Sequence, residues 1–149
     1  MMPGTAVYST IGLSRYGLPS VRSNKLIRHE LLLATHTGEN EEYIPSILKQ
    51  VGEEAIHNNS ALLSGQVIGP RGFLSPGTNV KALFVNSPVF LPDEFATFET
   101  DEGSGVIAWL IPVTGSEATF VHKAGWERFE EILDESNPDL FDWRRKGIA

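Results

Sequence analysis

Four histidines, His29, His36, His57 and His122, are the side chains best suited to hold a metal ion or move a proton near neutral pH. None stands in HExxH or another tight ligand spacing, so a metal centre would need residues from distant segments. Each also suits a surface or cap position, and His122, late in a helical stretch, matches the negative end of a helix dipole. Ser14 follows a strand, as a serine nucleophile does, but GxSxG is absent and neither a base nor oxyanion donors accompany it. A turn hydrogen bond is its simpler use. Glu94 and Glu117 are carboxylates that could divide acid–base work across a cleft. Glu117, however, stands three residues after Thr114, the spacing of a capping box, and Asp93-Glu94 reads as solvated loop. The glycines at 65, 69, 72 and 77 keep neither dinucleotide nor P-loop spacing. Arg144-Arg145-Lys146 would touch phosphate or, in so acidic a chain, project into solvent. The residues therefore assign no catalytic, cofactor or metal position.

The 149 residues suit one domain spanning 1–149, and 41% apolar content with three Trp and eight Phe supplies a core without a metal or disulfide staple. Nineteen acidic against twelve basic side chains give a formal charge of −7, which opposes nucleic acid and anionic membrane as partners and leaves room for a basic protein. Cysteine is absent, which rules out a disulfide framework or thiolate chemistry and fits a cytoplasmic setting. The first ten residues lack the basic start and apolar run of a signal peptide, and no apolar run approaches the ~20 residues that span a bilayer.

Those candidates must be held by elements that the hydrophobic pattern predicts. Strands are expected at Val7–Ile11, Leu26–Thr35, Gly65–Ile68, Val80–Val85 and Val106–Val113, the second and last two apolar enough to be central. Pro112 requires a strand end, bulge or edge. Ile44, Ile47, Leu48, Val51, Ala55 and Ile56 mark a helix capped by Asn40, with Pro45 in its first turn. Val89–Gly105 reads as a long surface segment anchored by Phe90, Leu91, Phe95 and Phe98. Thr114–Glu117 opens a helix that Gly125 breaks, and Trp126, Phe129, Ile132 and Leu133 stripe the next one. Glu127, Glu130, Glu131 and Asp134 face the other way. The aromatics of Asp139–Trp143 dock the tail. Strands adjacent in sequence favour an α+β fold with a mixed, largely antiparallel sheet flanked by helices.

The segments TIGLSRYGLP, HELLLAT, GQVI, LFVNSPVFLP, VIAWLIPVTGSEATF and GWERFEEIL occur in an order that resembles the suppressor-of-fused-like domains of bacterial type, over about Val7 to Asp142. The combination of Gly12-x-Ser14, Glu30-Leu31, Gly65, Pro88, Pro112-x-Thr114-x-x-Glu117 and the Trp126 helix carries the resemblance. It implies a compact module with a mixed sheet, no cofactor, no established catalytic residue, and a non-enzymatic role in protein binding. In bacteria the resemblance further implies an immunity protein that neutralises a toxin. Against the family pattern the start is short, so an N-terminally shortened domain and a homodimer through the Val7 strand are expectations. The acidic charge makes a basic toxin domain a sensible partner, with contacts expected at Asp93 and Glu94 and on the outer side of the last helix at Glu127 and Glu131. A hydrolytic enzyme with a non-contiguous site and a structural or oligomerisation module remain as alternatives.

Overall fold

The apolar runs Leu31–Ala34, Ala82–Val85 and Ala108–Ile111 put hydrophobic side chains on both faces of their strands, so those strands need cover on both sides. A computed structural model describing residues 4–71 and 74–149 shows how that cover is arranged. Gly72, part of the expected turn after Gly69, lies outside the described residues. The strands are β1 (Thr5–Ser9), β2 (Leu18–Pro19), β3 (Leu26–Ile27), β4 (His29–His36), β5 (Val67–Ile68), β6 (Val80–Asn86), β7 (Thr97–Thr100) and β8 (Gly103–Thr114). The helices are α1 (Ile44–His57), α2 (Gly115–Ala124) and α3 (Trp126–Ser136). The main sheet has the order β1-β4-β8-β6-β5, with β7 paired to the first part of β8, and β2–β3 forms a separate ribbon. Only the β4–β8 pair is parallel among these pairings, so the fold is α+β with a mixed, largely antiparallel sheet.

Strand alternation sorts the core. Leu31, Leu33, Leu83, Val85 and Leu110 pack with Ile44, Leu48 and Val51 of α1. Leu32, Phe84, Trp109 and Ile111 pack on the opposite face with Val121 of α2 and Phe129 and Leu133 of α3. Phe84 and Phe129 meet edge to face with centroids 5.2 Å apart.

Several boundaries differ from the sequence expectation. The expected Leu26–Thr35 strand is two strands, β3 in the small ribbon and β4 in the main sheet. Asn40 does not cap α1: it adopts a left-handed φ of 59° ahead of a 3-10 turn at Glu41–Tyr43. Its amide instead donates to Thr35 Oγ1 at 3.1 Å and accepts from Ser75 Oγ at 2.9 Å. Pro45 does sit in the first turn of α1. The segment expected to be all surface loop contains β7, which forms a hairpin with β8. Phe90 anchors it against Trp109 at a centroid distance of 4.6 Å, but Phe95 is exposed.

Pro112 lies inside β8 and costs the sheet nothing. The pairing of β4 with β8 stops at Leu32–Trp109, and Pro112 faces Leu83 across β6. Its carbonyl points away from β6 to Arg145, so its imide nitrogen faces the same side, where no strand needs a donor.

The chain after α3 fills that side. The carbonyl of Phe141 accepts from the His36 N–H at 3.3 Å, and the Trp143 indole donates to the Ala34 carbonyl at 3.2 Å. Asn79 N–H donates to the Trp143 carbonyl at 3.0 Å, joining the tail to the start of β6. Trp143 is buried, as its aromatic character suggests.

Arg145 departs from the expectation of a solvated basic tail. It is buried, and its guanidinium grips both oxygens of buried Glu117 at 2.8 Å each while also donating to the Pro112 carbonyl at 3.1 Å. The reason lies in α2. Glu117 and Thr114 form the expected reciprocal capping box, Thr114 N–H donating to Oε1 at 2.8 Å. That places the carboxylate inside the protein, where it requires a counter-charge. Ile148 N–H adds a further donor at 3.1 Å.

Arg145→Ala therefore leaves a buried carboxylate without its cation and is expected to cost about 3–5 kcal/mol in urea unfolding. Arg144→Ala and Lys146→Ala, at exposed positions, should stay within about 0.5 kcal/mol. Three equal losses would contradict the assignment.

Candidate functional site

At the outer edge of the sheet, β5 pairs with β6 on one side only, and a groove of about 630 Å³ runs along it. Glu54 and Ala55 of α1 form one wall, His122 of α2 and Trp126 of α3 the other, and Gln66 and Val67 lie between. The groove thus follows a strand edge between the helices that cover the two faces of the sheet.

Its walls are fixed by close contacts. Gly65 has a positive φ of 94°, and a Cβ there would stand 2.6 Å from Trp126 Cγ. Only glycine lets the indole lie on the backbone at that point. Arg22, from the turn between β2 and β3, lies over the same indole at 5.9 Å and donates to the Ser64 carbonyl at 2.6 Å. Across the groove, Arg71 pairs with Glu54 at 2.6 Å, which holds the Glu54 carboxyl below its usual range.

A buried histidine secures the intervening loop. Leu62 N–H donates to His29 Nε2 at 3.0 Å, so the ring must be neutral at that nitrogen. Burial lowers the His29 pKa, with Glu30 acting weakly in the opposite sense.

The side chains with chemical potential do not assemble. His36 pairs with Asp139 at 2.6 Å on the surface, and His57 and His122 are exposed on different helices. Ser14 donates to Glu30 at 2.6 Å, and among the described residues no histidine bonds to it. Glu30 is a structural acceptor: it also takes Thr10 Oγ1 at 2.6 Å and the backbone N–H groups of Gly12, Leu13 and Ser14. Burial pushes its carboxyl up, but those hydrogen bonds outweigh burial and hold it below the usual range. Glu94 and Glu117 lie on an exposed 3-10 turn and in the buried capping box respectively, not across a cleft. Among the described residues, no cluster of three or more His, Cys, Asp or Glu has metal-binding geometry.

The four expected contact residues fall on two elements. Asp93 and Glu94 are exposed on the 3-10 turn before β7. Glu127 and Glu131 are exposed one turn apart on α3, with Glu131 paired to Arg128 at 3.0 Å. This second pair lines a shallow depression that shares Gly125 and Trp126 with the groove or its rim. Burial first, then Asp134 and Glu127, raise the Glu130 pKa, a sign of crowded negative charge on that face. Sequence reasoning missed Gln66, Val67, Arg71 and His122 as groove residues. The available signal was the joint presence of Gly65 and Trp126.

Comparison with known proteins matches this architecture. The profile of the suppressor of fused protein (SUFU) family covers residues 1–146. The chain belongs to the SUFU family. No curated protein sequence matches it. A SUFU homologue from Neisseria gonorrhoeae superposes with a TM-score of 0.77 at 16% identity, covering 99% of this chain and 72% of the homologue. The Sufu–Fu complex gives 0.72 at 16% identity, over 95% of this chain and 69% of the matched one. Drosophila Suppressor of Fused gives 0.71 at 16% identity, over 95% of this chain and 38% of its own. These likenesses confirm the SUFU fold.

Two outcomes follow for the groove. Because the folded pKa of His29 is depressed, its contribution to stability is complete above the ordinary imidazole value of about 6.5 and is lost as pH falls through the folded value. Wild type should thus lose more stability than His29→Phe between about pH 7 and 5 in denaturant titrations; parallel curves would refute the neutral acceptor. Gly65→Ala should cost about 1–3 kcal/mol and red-shift Trp126 emission as the indole leaves the backbone. An unchanged spectrum would exclude that displacement.

Proposed function

We propose that this SUFU-family domain is a non-enzymatic protein-binding module that receives an extended partner segment in the groove along β5. The observation that carries this reading is the position of the groove on an outer strand, between helices from opposite sheet faces. An outer strand offers backbone donors and acceptors to an added strand, while flanking walls read alternate side chains. Sufu in complex with Fu supports a protein-binding role.

The partner of best-matched chemistry is basic. Glu127 and Glu131 lie beside Trp126 at one end of the groove, Asp93 and Glu94 offer a separate acidic contact, and the chain carries a net charge of −7. Such a surface steers and covers a cationic protein. A cationic side chain near Glu130 also offsets the Asp134 and Glu127 charges that add to burial in raising its pKa. Within this reading the domain is a cytoplasmic immunity protein that neutralises a basic toxin domain.

The test is co-expression with a candidate basic toxin domain, read as growth and as affinity of the purified pair. Glu127→Lys with Glu131→Lys should weaken binding by at least about tenfold, with a larger effect at low salt. A photo-crosslinker replacing Gln66 should capture the partner. A folded double variant with unchanged affinity would remove α3 from the interface, and absence of a Gln66 crosslink from a formed complex would remove the groove.

A further inference from the structure

The charges of this chain are unevenly spread. Residues 1–29 carry Arg15, Arg22, Lys25 and Arg28 and no acidic residue, so all nineteen acidic side chains lie after them. The same stretch supplies Ile11, Tyr16, Val21 and Leu26, four of the seven large apolar side chains exposed among the described residues. Strand pairing accounts for part of that display. Leu18 pairs with Ile27 and turns to the core, so the next pair, Pro19 and Leu26, must point the other way. Leu26 is accordingly 64% exposed, and every residue from 21 to 26 is exposed at the tip of the ribbon.

Contacts join these side chains into one face. Ile11, Arg15 and Tyr16 line one depression beside α1. The following residue, Gly17, lies against the ribbon: a Cβ there would stand 3.3 Å from both Leu26 Cβ and Arg28 Nη2. Ser20 N–H donates to the Lys25 carbonyl at 3.1 Å and closes the ribbon tip. The face is held from beneath. Arg28 donates to the carbonyls of Ser14 and Arg15 at 3.0 and 2.9 Å, and Glu30 accepts from the backbone of Gly12, Leu13 and Ser14. A surface fixed in this way has little backbone entropy left to lose on binding. Arg28 is engaged by those carbonyls and by Glu102 at 2.7 Å, and Arg22 by the Ser64 carbonyl. Arg15 and Lys25, both exposed, form no ion pair among the described residues. Two unanswered positive charges thus stand beside displayed apolar side chains.

We propose that this face docks an acidic protein segment in which apolar side chains alternate with carboxylates. Arg15 and Lys25 answer the carboxylates, and Tyr16 and Leu26 receive the apolar side chains. The chemistry separates this partner from other anionic ones. Ile11, Val21 and Leu26 are aliphatic and give bases no ring to stack on, which disfavours single-stranded nucleic acid. An anionic bilayer would bring a plane of negative charge against Asp101 and Glu102, which border the same surface at Arg15 and Arg28. A peptide segment covers the free cations without meeting those carboxylates. The charge preference is the reverse of that proposed for the groove, so this is a second contact that does not depend on the groove reading.

Selection of short random peptides displayed on phage against the immobilised full chain tests the proposal. Wild type should enrich sequences in which Asp or Glu flank Leu, Ile or Phe. A synthetic peptide of that consensus should bind at least about threefold more weakly when salt rises from about 50 to 300 mM. Arg15→Glu with Lys25→Glu should weaken it by about tenfold or more, and Leu26→Ser by a similar factor. All three side chains are exposed, so these variants should melt within about 2 °C of wild type. Glu127→Lys with Glu131→Lys should not weaken the peptide, which separates this face from the basic-partner contact on α3. A selection without an acidic consensus overturns the proposal, as does an acidic peptide that binds the Arg15→Glu, Lys25→Glu variant as tightly as wild type. Binding to phosphatidylserine-containing vesicles that depends on Arg15 and Lys25, with no peptide selected, overturns it in favour of a membrane.

Discussion

The buried carboxylate of Glu117 is the constraint around which the second half of the chain closes. It caps α2 through Thr114, and its charge is answered by Arg145, 28 residues later. Arg145 in turn reaches Pro112 in β8. One ionic contact therefore ties the end of the central strand, the start of a helix and the tail. Buried ion pairs need not add much net stability over an apolar substitute, but breaking one side is costly. The tail is thus held to a single position. With it are held Trp143 beneath β4 and the alignment of α2 and α3 along the groove wall.

Much of this was legible in the chain because the relevant signals are local. The capping box is a spacing of three residues, the sheet strands are apolar runs, and Gly125 separates two helices whose stripes are readable on each side. A turn hydrogen bond for Ser14 was also legible, but its acceptor, Glu30, lies 16 residues away and became visible only in the fold. What escaped was set by distant partners. Arg145 looked solvated because its cause, a carboxylate driven inward by helix capping, lies in another element. Asn40 has the composition of a cap but is drawn away by Thr35 and Ser75. The strand β7 has little apolar patterning and exists because β8 extends beyond its apolar run to receive it.

The groove illustrates the same division. Gly65 and Trp126 were each recognisable, but only the fold brings the glycine backbone under the indole. His29 is more telling still. On an apolar strand it has the look of a misplaced polar residue, and its purpose becomes visible only with Leu62, 33 residues away, whose N–H it accepts. The walls of the groove are accordingly built from a backbone contact, a neutral imidazole and two arginine contacts rather than from one continuous element.

The tail has a consequence for how the protein comes into being. Trp143 bonds to Ala34 across 109 residues, and β4 parts from β8 where the tail enters. A nascent chain that has emerged only through α3 has made every strand of the sheet but holds an unanswered charge at Glu117 and an unfilled side on β4. Long-range closure of this kind is slow compared with hairpin and helix formation. During synthesis the groove's two walls precede the clasp that steadies them, so the domain reaches its working form only after residue 145 has cleared the ribosome.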